Sequence, residues 1–216
     1  MALMTDIKTI ECLQRDGFRC ACSHFIDLTS AEERLVVPAP GMTVSFTHLC
    51  YILPFALGQL ASPAGREAVD NIWSALYWYF PELNGKIGPN SLDQYQNLIT
   101  FDLTVHKAYN SHDLAFKPLP GQPNKYEIDN MSGWSLTPLR DNQDVMSLVS
   151  SDDDIPLPEP EFFMVHRRVA KVLKISGIRA RIEAEIKASS LDPEELNPDG
   201  STDVGSILRR KMLLDV

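Results

Sequence analysis

Long apolar runs are missing from this chain. The longest, Leu49 to Leu57, is broken by Pro54 and is too short to span a bilayer. No internal repeat marks a solenoid or propeller. Basic charge is in deficit: 20 Lys and Arg face 29 Asp and Glu, a formal net charge of −9. Such a surface repels a phosphate backbone and argues against strong nucleic-acid binding unless a local basic patch exists. Cysteine is scarce, with Cys12, Cys20, Cys22 and Cys50 as the whole set. The first thirteen residues carry Asp6, Lys8 and Glu11 and so lack the apolar core of a secretory signal. Reduced thiols in an intracellular protein, cytoplasmic or nuclear, and no membrane association are the expectation.

The 216 residues suit one domain, or one with a small appendage. Apolar residues make up 44%, enough to build a core and to exclude wholesale disorder. Residues 7–15 read as a short helix ending near Gly17. Phe18 to Phe25 and Val44 to Leu53 read as strands, the second rich in β-branched and aromatic residues. Glu67 to Phe80 places Val69, Ile72, Trp73, Leu76 and Phe80 at helical spacing, and Pro81 stops it. Asn97 to Phe101 is a short strand, after which Asp102 is a candidate N-cap for a helix. Phe116 to Ile128, interrupted by Pro118-Leu119-Pro120-Gly121, reads as a hairpin or an extended segment.

Residues 131–160, rich in Ser, Asp and Pro, read as a linker or wrapping arm between a domain at 1–130 and a helical C-terminal region at 161–216. That region holds predicted helices at Glu161–Ile175, at Ile178–Ala188 and from about Thr202 to Leu214. Arg167 to Lys187 holds seven basic side chains against two acidic ones. A solvated helix face is the plain reading, and a phosphate-contacting surface is the functional one.

Three short stretches carry chemistry together. They are Arg15-Asp16-Gly17-Phe18-Arg19-Cys20, Cys50-Tyr51-Ile52-Leu53-Pro54-Phe55, and Asn97 followed by His106 and Asn110. In order and spacing they resemble the HNH nuclease family, in particular its fungal branch, over roughly residues 10 to 130. The resemblance implies an α+β fold with a ββα-metal (His-Me finger) core, a helix inserted between the Tyr51 strand and Asn97, and a helical C-terminal region. It implies metal-dependent hydrolysis of nucleic-acid phosphodiesters, with magnesium, manganese or zinc as the ion. In that family a strand histidine acts as general base, an asparagine orients it, and the metal stabilises charge on the scissile phosphate.

Alignment on Pro54 puts Tyr51 at the position of the family histidine, and a tyrosine is a poor base at neutral pH. His106 and Asn110 take helix-ligand positions one turn apart, with Asn110 replacing the family's Asp. Cys50 falls where some members have a ligand. His48 is a substitute base, but it lies three residues before Tyr51. On a regular strand it faces the other way, and a bulge would be needed to bring it in. The expectation is therefore an HNH-type protein with impaired hydrolysis, binding a divalent ion weakly or not at all. The alternative is an inactive HNH-derived module that binds protein or nucleic acid. Asn97 alone could be a turn residue, and His106 alone a hydrogen-bonded core histidine. Cys20, Cys22 and His24 alternate as ligands might, but without the gap of a zinc knuckle they read as buried thiols. Trp73, Tyr77, Trp78 and Tyr79 read as core and interface.

Overall fold

A computed structural model describes residues 7–58, 63–133, 135–136, 139, 144–178, 181 and 184. The chain is α+β. The predicted helices beyond residue 178 lie outside the described residues, apart from isolated positions.

Helix α1 (Ile7–Arg15) ends as its sequence predicts. Gly17 takes φ +69°, its N–H bonds to the Gln14 carbonyl, and Phe18 N–H reaches back to Leu13. This is a glycine stop of the Schellman type. A Cβ at residue 17 would meet Ser151 Oγ at 3.0 Å and the Arg19 guanidinium at 3.2 Å, so space as well as φ selects glycine.

Phe18–Phe25 is not the strand that its composition predicts. Phe18 (φ +54°) and His24 (φ +61°) are left-handed, and the chain between them folds into a tight turn. Cys20 N–H bonds to Phe25 O, and His24 N–H to Cys20 O. Only Ile26–Asp27 is extended, as β1, followed by the short helix α2 (Leu28–Glu32). The second predicted strand breaks at Phe46 into β2 (Val44–Ser45) and β3 (Thr47–Tyr51). β2 pairs in parallel with β1, and β3 turns to an antiparallel partner, β4 (Leu98–Asp102). Between β3 and β4 lies helix α3 (Pro63–Tyr79), halted by Pro81. Its Trp73 is buried with Nε1 donating to Leu57 O at 3.0 Å, while Trp78 and Tyr79 are exposed.

Asp102 caps α4 (Leu103–Asn110) as predicted. Its Oδ1 accepts from Thr104 N and Val105 N, and Oδ2 accepts from Ser23 Oγ at 2.6 Å. One buried carboxylate thus both starts the helix and holds the 20–25 turn. The predicted hairpin forms as β5 (Leu114–Pro118) and β6 (Lys125–Asn130). The 131–160 stretch adds a third strand, β7 (Val145–Ser147), to that sheet and sends Met146 and Leu148 into the core. Helix α5 (Pro160–Ser176) starts at Pro160, ends at Gly177 in the left-handed region, and packs on β5.

A buried network ties these parts together. Arg15, fully buried, pairs with Asp16 through Nε at 2.8 Å. It also donates to the carbonyls of Tyr95 (3.2 Å), Leu98 (2.9 Å) and Pro156 (3.0 Å). Asp16 Oδ2 in turn accepts from Thr100 N at 2.9 Å. Arg15 O accepts from Ser151 N at 2.7 Å.

Candidate functional site

The antiparallel pair β3–β4 and helix α4 bring four of the six candidate residues together. Pairing runs without a bulge from Thr47 opposite Asp102 to Tyr51 opposite Leu98. His48 and Cys50 therefore share one face of β3, and Tyr51 belongs to the other. The face that meets α4 is the His48 and Cys50 face. The rings of His48 and His106 stand edge to face with centroids 5.8 Å apart, and Cys50 Sγ lies 3.6 Å from Asn110 Oδ1.

This revises the expectation for His48, while Tyr51 still lines one cleft with His106 and Asn110. His48 comes to His106 with no bulge, whereas the Tyr51 hydroxyl turns to Asp93 Oδ1 at 3.2 Å. Both statements about alternation hold; what sequence spacing could not supply was which face the helix covers.

Asn110 joins the rest of the cluster. Its Nδ2 approaches His106 Nε2 at 3.0 Å, one turn back along the helix. The Cys50 thiol lies within donating distance of the amide oxygen at 3.6 Å and of Tyr51 O at 3.5 Å, and the amide Nδ2 donates to the ring. His106 Nε2 is then an occupied acceptor. Burial, followed by the neighbouring His48, pushes the His106 pKa down, so the ring is neutral at pH 7. Burial pushes the Cys50 thiol up, so no thiolate is ready.

Asn97 is completely buried and does not face this cluster. Oδ1 accepts from Leu53 N at 2.8 Å, and Nδ2 donates to Leu53 O and Leu92 O, both at 2.9 Å. It pins the chain leaving β3 to the start of β4 and positions the strand rather than a base. No signal within residues 97–101 shows that its partner is backbone 44 residues away.

A cleft of about 490 Å³ opens beside the cluster, lined by Leu49, Tyr51, Ile52, Pro54, Phe55, Ala56, His106, Tyr109, Asn110, His112 and His166. No family model matches the chain, and no curated protein or solved structure matches it. The cleft is therefore read from its own geometry.

The divalent ion that the HNH resemblance implies does not fit these donors. Hard cations take oxygen ligands, preferably carboxylates. Here Asn110 supplies a neutral amide oxygen already bonded to a thiol, and His106 Nε2 faces the amide nitrogen. Among the described residues no group of three His, Cys, Asp or Glu side chains converges to hold a metal. Cys20 and Cys22 are buried thiols; burial lifts the first to about 12 and the second well above its ordinary value, while His24 is exposed.

The basic segment is largely matched within the described part of α5. Arg167 Nε lies 2.9 Å from Asp129 Oδ2, Lys171 3.7 Å from the same carboxylate, and Arg168 2.5 Å from Glu82. Lys174 donates to Met131 O at 2.6 Å. Arg179 and Lys187 lie outside the described residues. No described helix is long and apolar enough to cross a membrane.

The residue that sequence reasoning missed is His166. It lies 5% exposed on the buried stripe of α5 with Phe162, Phe163 and Ala170, a position its i+4 spacing from Phe162 could have revealed. Its ring stacks on Tyr109 (centroids 3.7 Å, 10°) and on His112 (4.8 Å, 6°). Desolvation, then His112, drives its pKa to about 3. The folded pKa lies below the ordinary His value of about 6.5, so between these values the unfolded chain binds the extra proton. The stability contribution is whole above pH ~6.5 and is lost as pH falls toward 3. Stability measured by urea unfolding is expected to drop by up to ~1.4 kcal/mol per pH unit below pH 6. His166→Gln should flatten that slope; an unchanged slope would assign the acid limb to other groups.

Proposed function

We propose that this chain uses an HNH-like strand–strand–helix arrangement as a scaffold without its hydrolytic chemistry, and acts as a binding module. The Asn110 amide carries this reading. It occupies His106 Nε2 with one end and the Cys50 thiol with the other, so the two helix positions of the implied metal site satisfy each other. The acidic surface and the matched basic residues of α5 also weigh against a phosphodiester substrate.

Calorimetry with magnesium, manganese and zinc, together with plasmid nicking in manganese, tests the proposal. Wild type is expected to show neither tight magnesium or manganese binding nor cleavage. Asn110→Asp should create manganese affinity, because it restores an anionic oxygen ligand beside His106. Tyr51→His, which the sequence alignment suggests as a rescue, should add nothing, since the residue 51 side chain, though it lines the same cleft, is directed to Asp93 and Phe55 rather than to His106.

One observation favours an active nuclease as a second reading: the exposed His48 ring stands beside His106, where it could serve as a general base. General-base help is typically worth ~10²–10⁴-fold in rate. Wild-type cleavage that disappears in His48→Ala would establish that reading and remove the first.

A further inference from the structure

Two serines stand at the head of an acidic run, Ser150-Ser151-Asp152-Asp153-Asp154. Each has an aspartate three residues on, a charge pattern that a kinase with a basic substrate groove selects. The fold separates the two. Ser150 is half-buried, and its Oγ donates to Asp152 O at 2.5 Å and accepts from Asp152 N at 3.1 Å. Ser151 is exposed, as are Asp153 and Asp154, and its hydroxyl makes no hydrogen bond among the described residues. Its backbone alone is held, by Ser151 N donating to Arg15 O at 2.7 Å.

A cation stands beside that hydroxyl. Ser151 Oγ lies 3.0 Å, and Nε and Nη2 of Arg19 each 3.2 Å, from the point where a Cβ on Gly17 would stand. Oγ and the guanidinium therefore flank the space that the missing side chain leaves. Arg19 is exposed and makes no ion pair or hydrogen bond among the described residues. A phosphate on Oγ carries about −1.5 to −2 charges and reaches a neighbouring guanidinium through a charge-assisted bond of ~2.7–2.9 Å. Asp16 lines a small pocket with Arg19, but its carboxylate is committed to Arg15 and to Thr100 N. The three aspartates that follow Ser151 oppose the new charge, which leaves Arg19 as the group that offsets it.

We propose that Ser151 is phosphorylated by an acid-directed serine kinase and that Arg19 receives its phosphate. In the transfer, Ser151 Oγ bonds to the γ-phosphorus of ATP as the bond to the β–γ bridging oxygen breaks. ADP leaves, and the hydroxyl proton passes to the kinase's catalytic carboxylate. The phosphate then ties the segment between β7 and α5 to the glycine turn after α1, beside the bond that Ser151 N already makes to Arg15 O. The proposal holds whether or not the cleft beside α4 is catalytic, because none of these residues lines that cleft.

The full chain is incubated with ATP and a serine kinase that requires an acidic residue three positions after its target. Mass spectrometry is expected to place a phosphoryl group on Ser151. Ser150→Ala should keep that modification, and Ser151→Ala should lose it. The ³¹P resonance that is missing from Ser151→Ala is then titrated. A phosphoserine has its second pKa near ~6, and an adjacent guanidinium favours the dianion and lowers it. Arg19→Gln should therefore raise the value by at least ~0.5 unit relative to wild type. Arg34→Gln, at another exposed arginine, should leave it unchanged. No phosphate on Ser151 of the folded chain, a preference for Ser150, or a titration that Arg19→Gln does not move would overturn the proposal.

Discussion

Arg15→Ala is expected to destabilise the fold severely. The side chain is fully buried and holds Asp16, while three carbonyls from residues 95, 98 and 156 depend on its remaining N–H groups. Removing it strands the Asp16 carboxylate in the interior. Breaking a buried pair from one side costs about 3–5 kcal/mol, a large part of the stability of an ordinary domain. Arg15→Lys should rescue little, because an ammonium cannot present the planar fork that reaches the carboxylate and the carbonyls together. Urea unfolding followed by circular dichroism gives the value. An unfolding free energy within ~0.5 kcal/mol of wild type would mean that the network contributes nothing beyond its own desolvation.

Asn97→Ala is expected to be nearly as severe, at about 3 kcal/mol, with a local signature. Three hydrogen bonds vanish, and Leu53 N, Leu53 O and Leu92 O remain in a dry interior, where each unsatisfied group costs ~1–3 kcal/mol before relaxation. Asn97→Asp keeps the acceptor for Leu53 N but turns a second carboxylate oxygen toward two carbonyls. It should therefore also destabilise, and less so in acid, where a protonated carboxyl can donate. Hydrogen exchange at the Leu53 amide separates this from general loosening: it should rise more than exchange in β5 and β6. Equal acceleration everywhere would deny Asn97 its role as a local pin.

These two residues show how far the sequence could be read. Arg15 and Asn97 stand out in a nuclease-like pattern, and the pattern suggests catalysis. In the folded chain both bond to backbone from distant segments, information that spacing does not carry. Elements with local chemistry were legible: Gly17 and Gly177 stop helices, Asp102 starts one, Pro81 ends one. Phe18–Phe25 was misread because apolar alternation outweighed two residues that take left-handed φ without being glycine. β1 and β2 were hidden because two-residue strands have no periodicity to detect. β7 was hidden in a stretch whose Ser, Asp and Pro content looks like linker. In the site, alternation correctly put His48 and Tyr51 on opposite faces of β3. The face that α4 covers is a tertiary fact, and it sets His48 rather than Tyr51 ring to ring with His106. His166 lay in a helix whose basic residues drew attention to the exposed face rather than the buried one.

The reach of Arg15 also bears on the order of folding during synthesis. Its carbonyl and guanidinium need Ser151 and Pro156, and Glu159 N–H closes on Gln96 O. When β3, β4 and α4 have left the ribosome, the cation at their base still lacks one of its acceptors, and β7 and α5 are not yet made. Translation at ~5–20 residues per second leaves this intermediate waiting on the order of seconds, with Phe116 and Tyr126 uncovered by Phe163. A chaperone that holds exposed aromatic surface would have its window there. Nascent chains stalled before residue 150 should be digested by protease, and chains stalled with residue 176 clear of the exit tunnel should resist it.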